Sequence, residues 1–77
     1  MNTLEIINKI AKTKGINVNL SGSDLSKTLR EVNIDSLAAM TLIIAIEEEI
    51  KITIPDEELI QLKTLGDLVR AIDKLKK

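Results

Sequence analysis

The chain has no cysteine and no histidine among its 77 residues. Without cysteine there can be no disulfide framework and no thiolate metal site. Without histidine the commonest metal ligand and general base is also missing, so neither a metal centre nor catalysis of its own is expected. Phenylalanine, tyrosine and tryptophan are absent as well, which leaves Leu, Ile and Val to build the core. Long hydrophobic runs are lacking: the longest, Leu42 to Ile46, is too short to span a bilayer. Residues 1–14 alternate apolar and polar side chains, unlike the apolar centre of a signal peptide, so no membrane association and a cytoplasmic location are expected. A chain of this length makes one domain, here spanning residues 1–77. It spends most of its apolar surface on holding the fold together, and a deep enzyme cleft is not expected.

The formal net charge of -1 is unevenly spread. Residues 1–34 carry five bases and three acids, residues 35–67 carry two bases and eight acids, and the last ten carry four bases and one acid. An acidic body between mildly basic ends argues against a nucleic-acid module and for a protein partner with Lys and Arg on its docking surface. The same acids would also solvate an exposed helix, and charge alone leaves both readings open.

Leu4, Ile7, Ile10 and Ala11 recur at helical spacing opposite Asn8, Lys9 and Lys12, which predicts a first amphipathic helix over residues 3–14, stopped at Gly15. Residues 16–34 are too polar for a strand and too apolar for a free linker. They read as a long loop pinned to the core, with a helical turn around residues 24–30. Either Asp35 or Ser36 can cap a second helix running to Ile50. Ile52, Thr53 and Ile54 then weaken the helix, and Pro55 forces Ile54 out of the helical region. Pro55 suits the first turn of a short third helix with Asp56, Glu57 and Glu58 at its N-terminus. Thr64 and Asp67 have the spacing of a capping box, ahead of a last helix marked by Leu65, Leu68, Val69, Ile72 and Leu75. Lys74, Lys76 and Lys77 fall in its final turn, where positive charge is favoured. The expected fold is all-α: a small bundle of three longer helices and one short third helix, with a long first loop.

The second helix has two apolar faces. At about 100° per residue, Ala39, Leu42, Ile43, Ile46 and Ile50 share one side and form the expected core stripe. Leu37, Met40, Thr41 and Ile44 lie opposite, followed by Glu48 and Lys51. Either the helix is central and buried nearly all round, or Leu37, Met40 and Ile44 form a small apolar patch rimmed by Glu47 and Glu48 for a partner protein. The polar end of that stripe favours the exposed patch, because a face ending in Glu48 and Lys51 cannot lie in the core along its whole length.

A serine at the start of a helix is, by itself, most simply a cap. Here Asp35-Ser36-Leu37 opens a helix that closes with Glu47-Glu48-Glu49-Ile50. Ile54-Pro55-Asp56-Glu57-Glu58 and Thr64-Leu65-Gly66-Asp67-Leu68-Val69 follow. This order and spacing, across residues 3–76, resemble the acyl carrier proteins of bacterial fatty-acid synthesis and their relatives. The resemblance implies a four-helix bundle with a long first loop. It also implies that a phosphopantetheinyl transferase attaches 4'-phosphopantetheine from coenzyme A to Ser36, beside Asp35, and that the arm's thiol holds acyl groups as thioesters. Physical sense supports that placement, since a phosphodiester at a helix N-terminus meets free N–H groups and the positive end of the dipole. By the same resemblance Leu37, Met40, Ile44, Glu47 and Glu48 form the face that docks acyl-transferring, condensing or reducing enzymes. Ile46, Ile54, Leu59 and Leu62 are candidates to line a space for the acyl chain in the family, core packing being the other role open to each. A monomer is expected.

Two departures from the family's usual pattern narrow the reading. Ala38 and Thr41 stand where typical fatty-acid carriers have acids, so the docking helix is less negative beside the serine, and a carrier dedicated to one pathway, polyketide or specialised lipid synthesis among them, comes into view. An aliphatic core should also deform more easily around a bound chain. The alternatives are an aminoacyl or peptidyl carrier, and a non-covalent helical adaptor that docks through the same patch without an arm.

Overall fold

The computed structural model describes residues 2–76. Four helices follow one another: α1 (Thr3–Thr13), α2 (Ser36–Ile50), α3 (Asp56–Leu59) and α4 (Leu65–Leu75). Among the described residues the one β-type pairing is an isolated bridge between Thr28 and Thr64. Asn2 starts α1 by accepting the Glu5 N–H at 2.8 Å, and Gly15 ends it with φ 76°, a conformation glycine adopts without steric cost. At α4 the predicted capping box is present. Thr64 Oγ1 accepts the Asp67 N–H at 3.1 Å, and Asp67 Oδ2 accepts the N–H groups of Thr64 and Lys63, each at 3.1 Å. Those backbone donors, Thr64 first and then Lys63, hold the Asp67 carboxyl below its ordinary value, with help from the Arg70 guanidinium at 2.6 Å. Lys77, counted in the last-turn cluster from sequence, lies outside the described residues. Lys76 lies just past α4, where its ammonium donates to Thr3 Oγ1 at 2.8 Å.

α1 packs against both α2 and α4. Ile7, Ile10 and Ala11 from α1, Leu42, Ile43, Ala45 and Ile46 from α2, and Leu65, Leu68 and Ile72 from α4 are all buried together. The core stripe of α2 is rotated slightly from its expected position. Ala45 is buried, whereas Ala39 and Ile50, at its two ends, are half-buried. Helix ends project past the neighbours they pack on, so terminal residues of a stripe lose cover first.

The long loop is fastened at both ends. Asn8, placed by periodicity on the polar face of α1, is half-buried and grips the loop twice: its Nδ2 donates to the Leu20 carbonyl at 2.8 Å and its Oδ1 accepts the Leu20 N–H at 2.7 Å. Leu20, Val32 and Ile34 can then enter the core. Further on, the Gly66 N–H donates to Leu25 O at 2.8 Å, Leu65 N–H to Lys27 O at 2.9 Å and Leu29 N–H to Lys63 O at 3.2 Å. Gly66 is required there, because a Cβ would meet Leu25 O at 2.9 Å. In place of one helical turn over residues 24–30 the loop forms two short 3-10 turns, Gly22–Asp24 and Arg30–Val32. The reason is that Leu25, Lys27 and Leu29 turn their backbone groups to α4 and the segment before it.

Glu47 organises the link from α2 to α3. Its carbonyl accepts the Lys51 and Ile52 N–H groups, and its Oε2 accepts the Ile54 N–H at 2.7 Å. Lys51, at φ 60°, takes the left-handed position that turns the chain away. Pro55 sits one residue earlier than expected, as the extended cap before α3 and not in its first turn. Glu58 on α3 reaches α4 through Lys74 at 3.1 Å.

Candidate functional site

Asp35 and Ser36 divide the work at the start of α2. Asp35 is the cap: its Oδ1 accepts the Ala38 N–H at 2.8 Å while its carbonyl accepts the Ala39 N–H at 2.8 Å. Ser36 is therefore the first helical residue, exposed, with its hydroxyl not used for capping. Helix geometry leaves the first amides of α2 without intrahelical partners, and Asp35 satisfies one of them. The Ser36 and Leu37 N–H groups stay available at the positive end of a helix 15 residues long. Two open backbone donors at a helix N-terminus would favour an anionic group beside this free primary hydroxyl.

The loop before Ser36 is rigidly turned. Asn33 has φ 67° and Ile34, almost fully buried, donates its N–H to Leu29 O at 2.9 Å. The Thr28 N–H bonds Glu31 Oε1 at 2.8 Å, and that backbone donor, with the Thr28 hydroxyl, lowers the Glu31 carboxyl. A hollow of about 250 Å³ opens beside the serine, lined by Ser36 and Asp35, by Ile34 and Ala39, by the loop at residues 28–30, and by Leu62 and Lys63.

Of the residues assigned to docking, Leu37 is 78 % exposed and Met40 and Ile44 are each 49 % exposed, while Leu42, Ile43, Ala45 and Ile46 on the other side are buried. α2 is thus not buried all round. Glu48 is exposed. Glu47 is half-buried and tied to the Ile54 N–H, so one of its oxygens is committed to the α2–α3 link. Of the four residues assigned to an acyl space, Ile46 and Ile54 are buried in the common core, and Leu59 and Leu62 pack half-buried against it. Ile60, a large apolar side chain just past α3, is 80 % exposed. α3 ends at Leu59, so a helical wheel no longer describes residue 60. Arg30 and Lys63 beside Ser36 were also missed from sequence. They are 33 residues apart and come together through the backbone ties that join residues 25–29 to residues 63–66.

Among the described residues no cluster of acids could hold a metal ion, and no helix is long and apolar enough to cross a membrane. The family described as "Phosphopantetheine attachment site" matches residues 4–72. An acyl carrier protein homolog of Mycoplasma genitalium is 41 % identical over 97 % of this chain and 93 % of its own length. One of Ureaplasma parvum is 40 % identical over 100 % of this chain and 97 % of its own. The acyl carrier protein of Kocuria rhizophila is 46 % identical over a shorter stretch, 64 % of this chain and 62 % of its own. No solved structure matches the chain. A helical bundle with a free serine at the head of its longest helix, matched over nearly its full length by such proteins, belongs to the phosphopantetheine-attachment family of acyl carrier proteins.

Proposed function

We propose that Ser36 is the residue that carries 4'-phosphopantetheine, and that the chain delivers acyl groups along a biosynthetic route for lipids or polyketides. One observation carries the assignment: Asp35 takes the capping role, so the Ser36 hydroxyl is left exposed and uncommitted beside the open amides of α2. In the loading step the Ser36 oxygen attacks the phosphorus of coenzyme A that bears the pantetheine. A new P–O bond forms, the pyrophosphate bridge breaks, and adenosine 3',5'-bisphosphate leaves as the serine proton passes to the transferase's base. The arm supplies a thiol, a group this chain lacks. The chain's own part is to hold one serine at a helix head and to offer a surface; tethering raises the effective concentration of the acyl group at each enzyme that docks.

The docking surface in this reading is the outer stripe of α2: Leu37, Met40 and Ile44, with Glu48 and the outer oxygen of Glu47 at the far end. Residues 36–46 carry no charge, so along the helix the acidic rim begins about 16 Å from Ser36. A partner enzyme fitting this face pairs an apolar centre with Lys or Arg at the distal end and needs fewer bases close to the serine. That asymmetry favours a carrier with dedicated partners. Ile46, Ile54, Leu59 and Leu62 would yield space for an acyl chain only by separating α2 from α3, which an aliphatic core permits at low cost.

Incubation with coenzyme A, Mg²⁺ and a broad-specificity phosphopantetheinyl transferase, followed by intact mass, tests the assignment. The protein gains the mass of one phosphopantetheine and Ser36→Ala gains none. Absence of a gain with several transferases refutes the arm and leaves a non-covalent adaptor.

A further inference from the structure

We propose that Arg30 and Lys63 form a seat for the phosphodiester joining the arm to Ser36, so that the first part of the arm lies in the hollow between residues 28–30 and Leu62. The proposal rests on the carrier reading of Ser36 and adds to it a place where the arm stays when no enzyme holds it.

The hollow is built on both sides. Leu29 N–H donates to Lys63 O at 3.2 Å, and Thr28 and Thr64 form the neighbouring bridge, so the segments bearing Arg30 and Lys63 are held together by backbone. Arg30, Lys63 and Ser36 line the same hollow of about 250 Å³. Lys27, Arg70, Lys74 and Lys76 each pair with a carboxylate, whereas Arg30 and Lys63, like Lys9, Lys12, Lys14 and Lys51, pair with none among the described residues. Two uncommitted cations thus flank a serine on a helix that bears no charge from residue 36 to residue 46. Asp35 is the one acid lining the hollow, and its Oδ1 is engaged by the Ala38 N–H at 2.8 Å.

A phosphodiester on Ser36 brings a single negative charge to this place. It fits two cations better than a neutral adduct would, and a guanidinium can bind two phosphate oxygens at once. Beyond the phosphate, the arm has a carbon bearing two methyl groups, and the walls it would meet are Leu29, Ile34, Ala39 and Leu62. Attachment has already removed the translational cost of association, so contacts that are weak one by one suffice to populate the seated arm.

The test compares apo and loaded protein, wild type against Arg30→Gln/Lys63→Gln. Loading is verified by intact mass, and the thermal midpoint is taken from far-UV circular dichroism at 10 mM and 1 M salt. Loading raises the wild-type Tm by about 3 °C at low salt, the size expected of exposed ion pairs in a domain this small. The rise disappears at 1 M salt, where the Debye length is about 3 Å, and is absent from the double variant. In ¹⁵N NMR of the wild type, the Arg30 Nε–H resonance moves on loading. An equal rise in the double variant overturns the seat, and so does an Arg30 Nε–H that stays put in fully loaded protein. Failure to gain the arm at all is a different result: it removes the carrier reading and the seat with it.

Discussion

Asn8→Ala should lower the thermal midpoint by roughly 6–12 °C, although it replaces a poor helix former with the best one. Asn8 closes a two-point clasp on Leu20, with bonds of 2.8 and 2.7 Å, and both partners are backbone groups of a residue that is buried. Each bond contributes about 1 kcal/mol net, and more where the groups left behind stay out of water. The gain in helix propensity returns about 0.6 kcal/mol. The balance is a loss of about 1.5 kcal/mol, and in a domain of this size 1 kcal/mol corresponds to roughly 4–8 °C. The chain has no aromatic residue and so no intrinsic aromatic fluorescence, and the melt is followed by circular dichroism at the helical band. Asn19→Ala is the control: Asn19 is exposed, on the same loop, and its change should stay within about 0.5 kcal/mol. Asn8→Asp should fall between the two, keeping the acceptor for the Leu20 N–H but setting a carboxylate against the Leu20 carbonyl. An Asn8→Ala midpoint equal to that of Asn19→Ala would refute the claim that this clasp holds the loop.

Other perturbations test other parts of the fold and site. Gly66→Ala should cost about 1–2 kcal/mol, because the new Cβ meets Leu25 O at 2.9 Å and backbone must shift to relieve it; a melt unchanged or raised would show that the loop moves freely. Asp24, Glu31 and Asp67 all have lowered carboxyl values, caused first by backbone N–H donors from Ser21, Thr28 and Thr64. Depressed folded values mean that their stabilisation is complete above the ordinary carboxyl range and is lost as pH falls below about 4. Urea midpoints should therefore hold level from pH 7 to pH 5 and drop below pH 4, and removing Asp67 with Asp67→Asn should flatten part of that drop. Ile44→Arg should leave the melt within a few degrees of wild type, since Ile44 is half exposed, while cutting turnover by an acyl-transferring partner at least tenfold. Collapse of the fold would instead place Ile44 in the core.

The helices and their caps were legible because they are local. Thr64 and Asp67 lie three residues apart and form their box without help from elsewhere, and Gly15 ends α1 by its own backbone freedom. The two faces of α2 were equally plain from period alone, down to the change from Leu37, Met40 and Ile44 to Glu48 and Lys51. What periodicity could not say was which of Asp35 and Ser36 caps the helix. Both can, and the decision depends on how Asn33 and Ile34 bring the loop in; with Ile34 buried and bonded to Leu29, Asp35 meets the Ala38 N–H and Ser36 is released.

The sequence by itself thus determined the class of fold, the positions of its helices and the serine at the head of the longest one, because each follows from residues within a turn or two of one another. The tertiary structure alone decided the course of the long loop, the inward role of Asn8 and the partial withdrawal of Glu47 from the outer face. It also brought Arg30 and Lys63 to the same serine. Those arrangements depend on hydrogen bonds that backbone groups make with side chains or with other backbone groups several residues or more away, for which side-chain pattern carries no signal until packing brings the segments together.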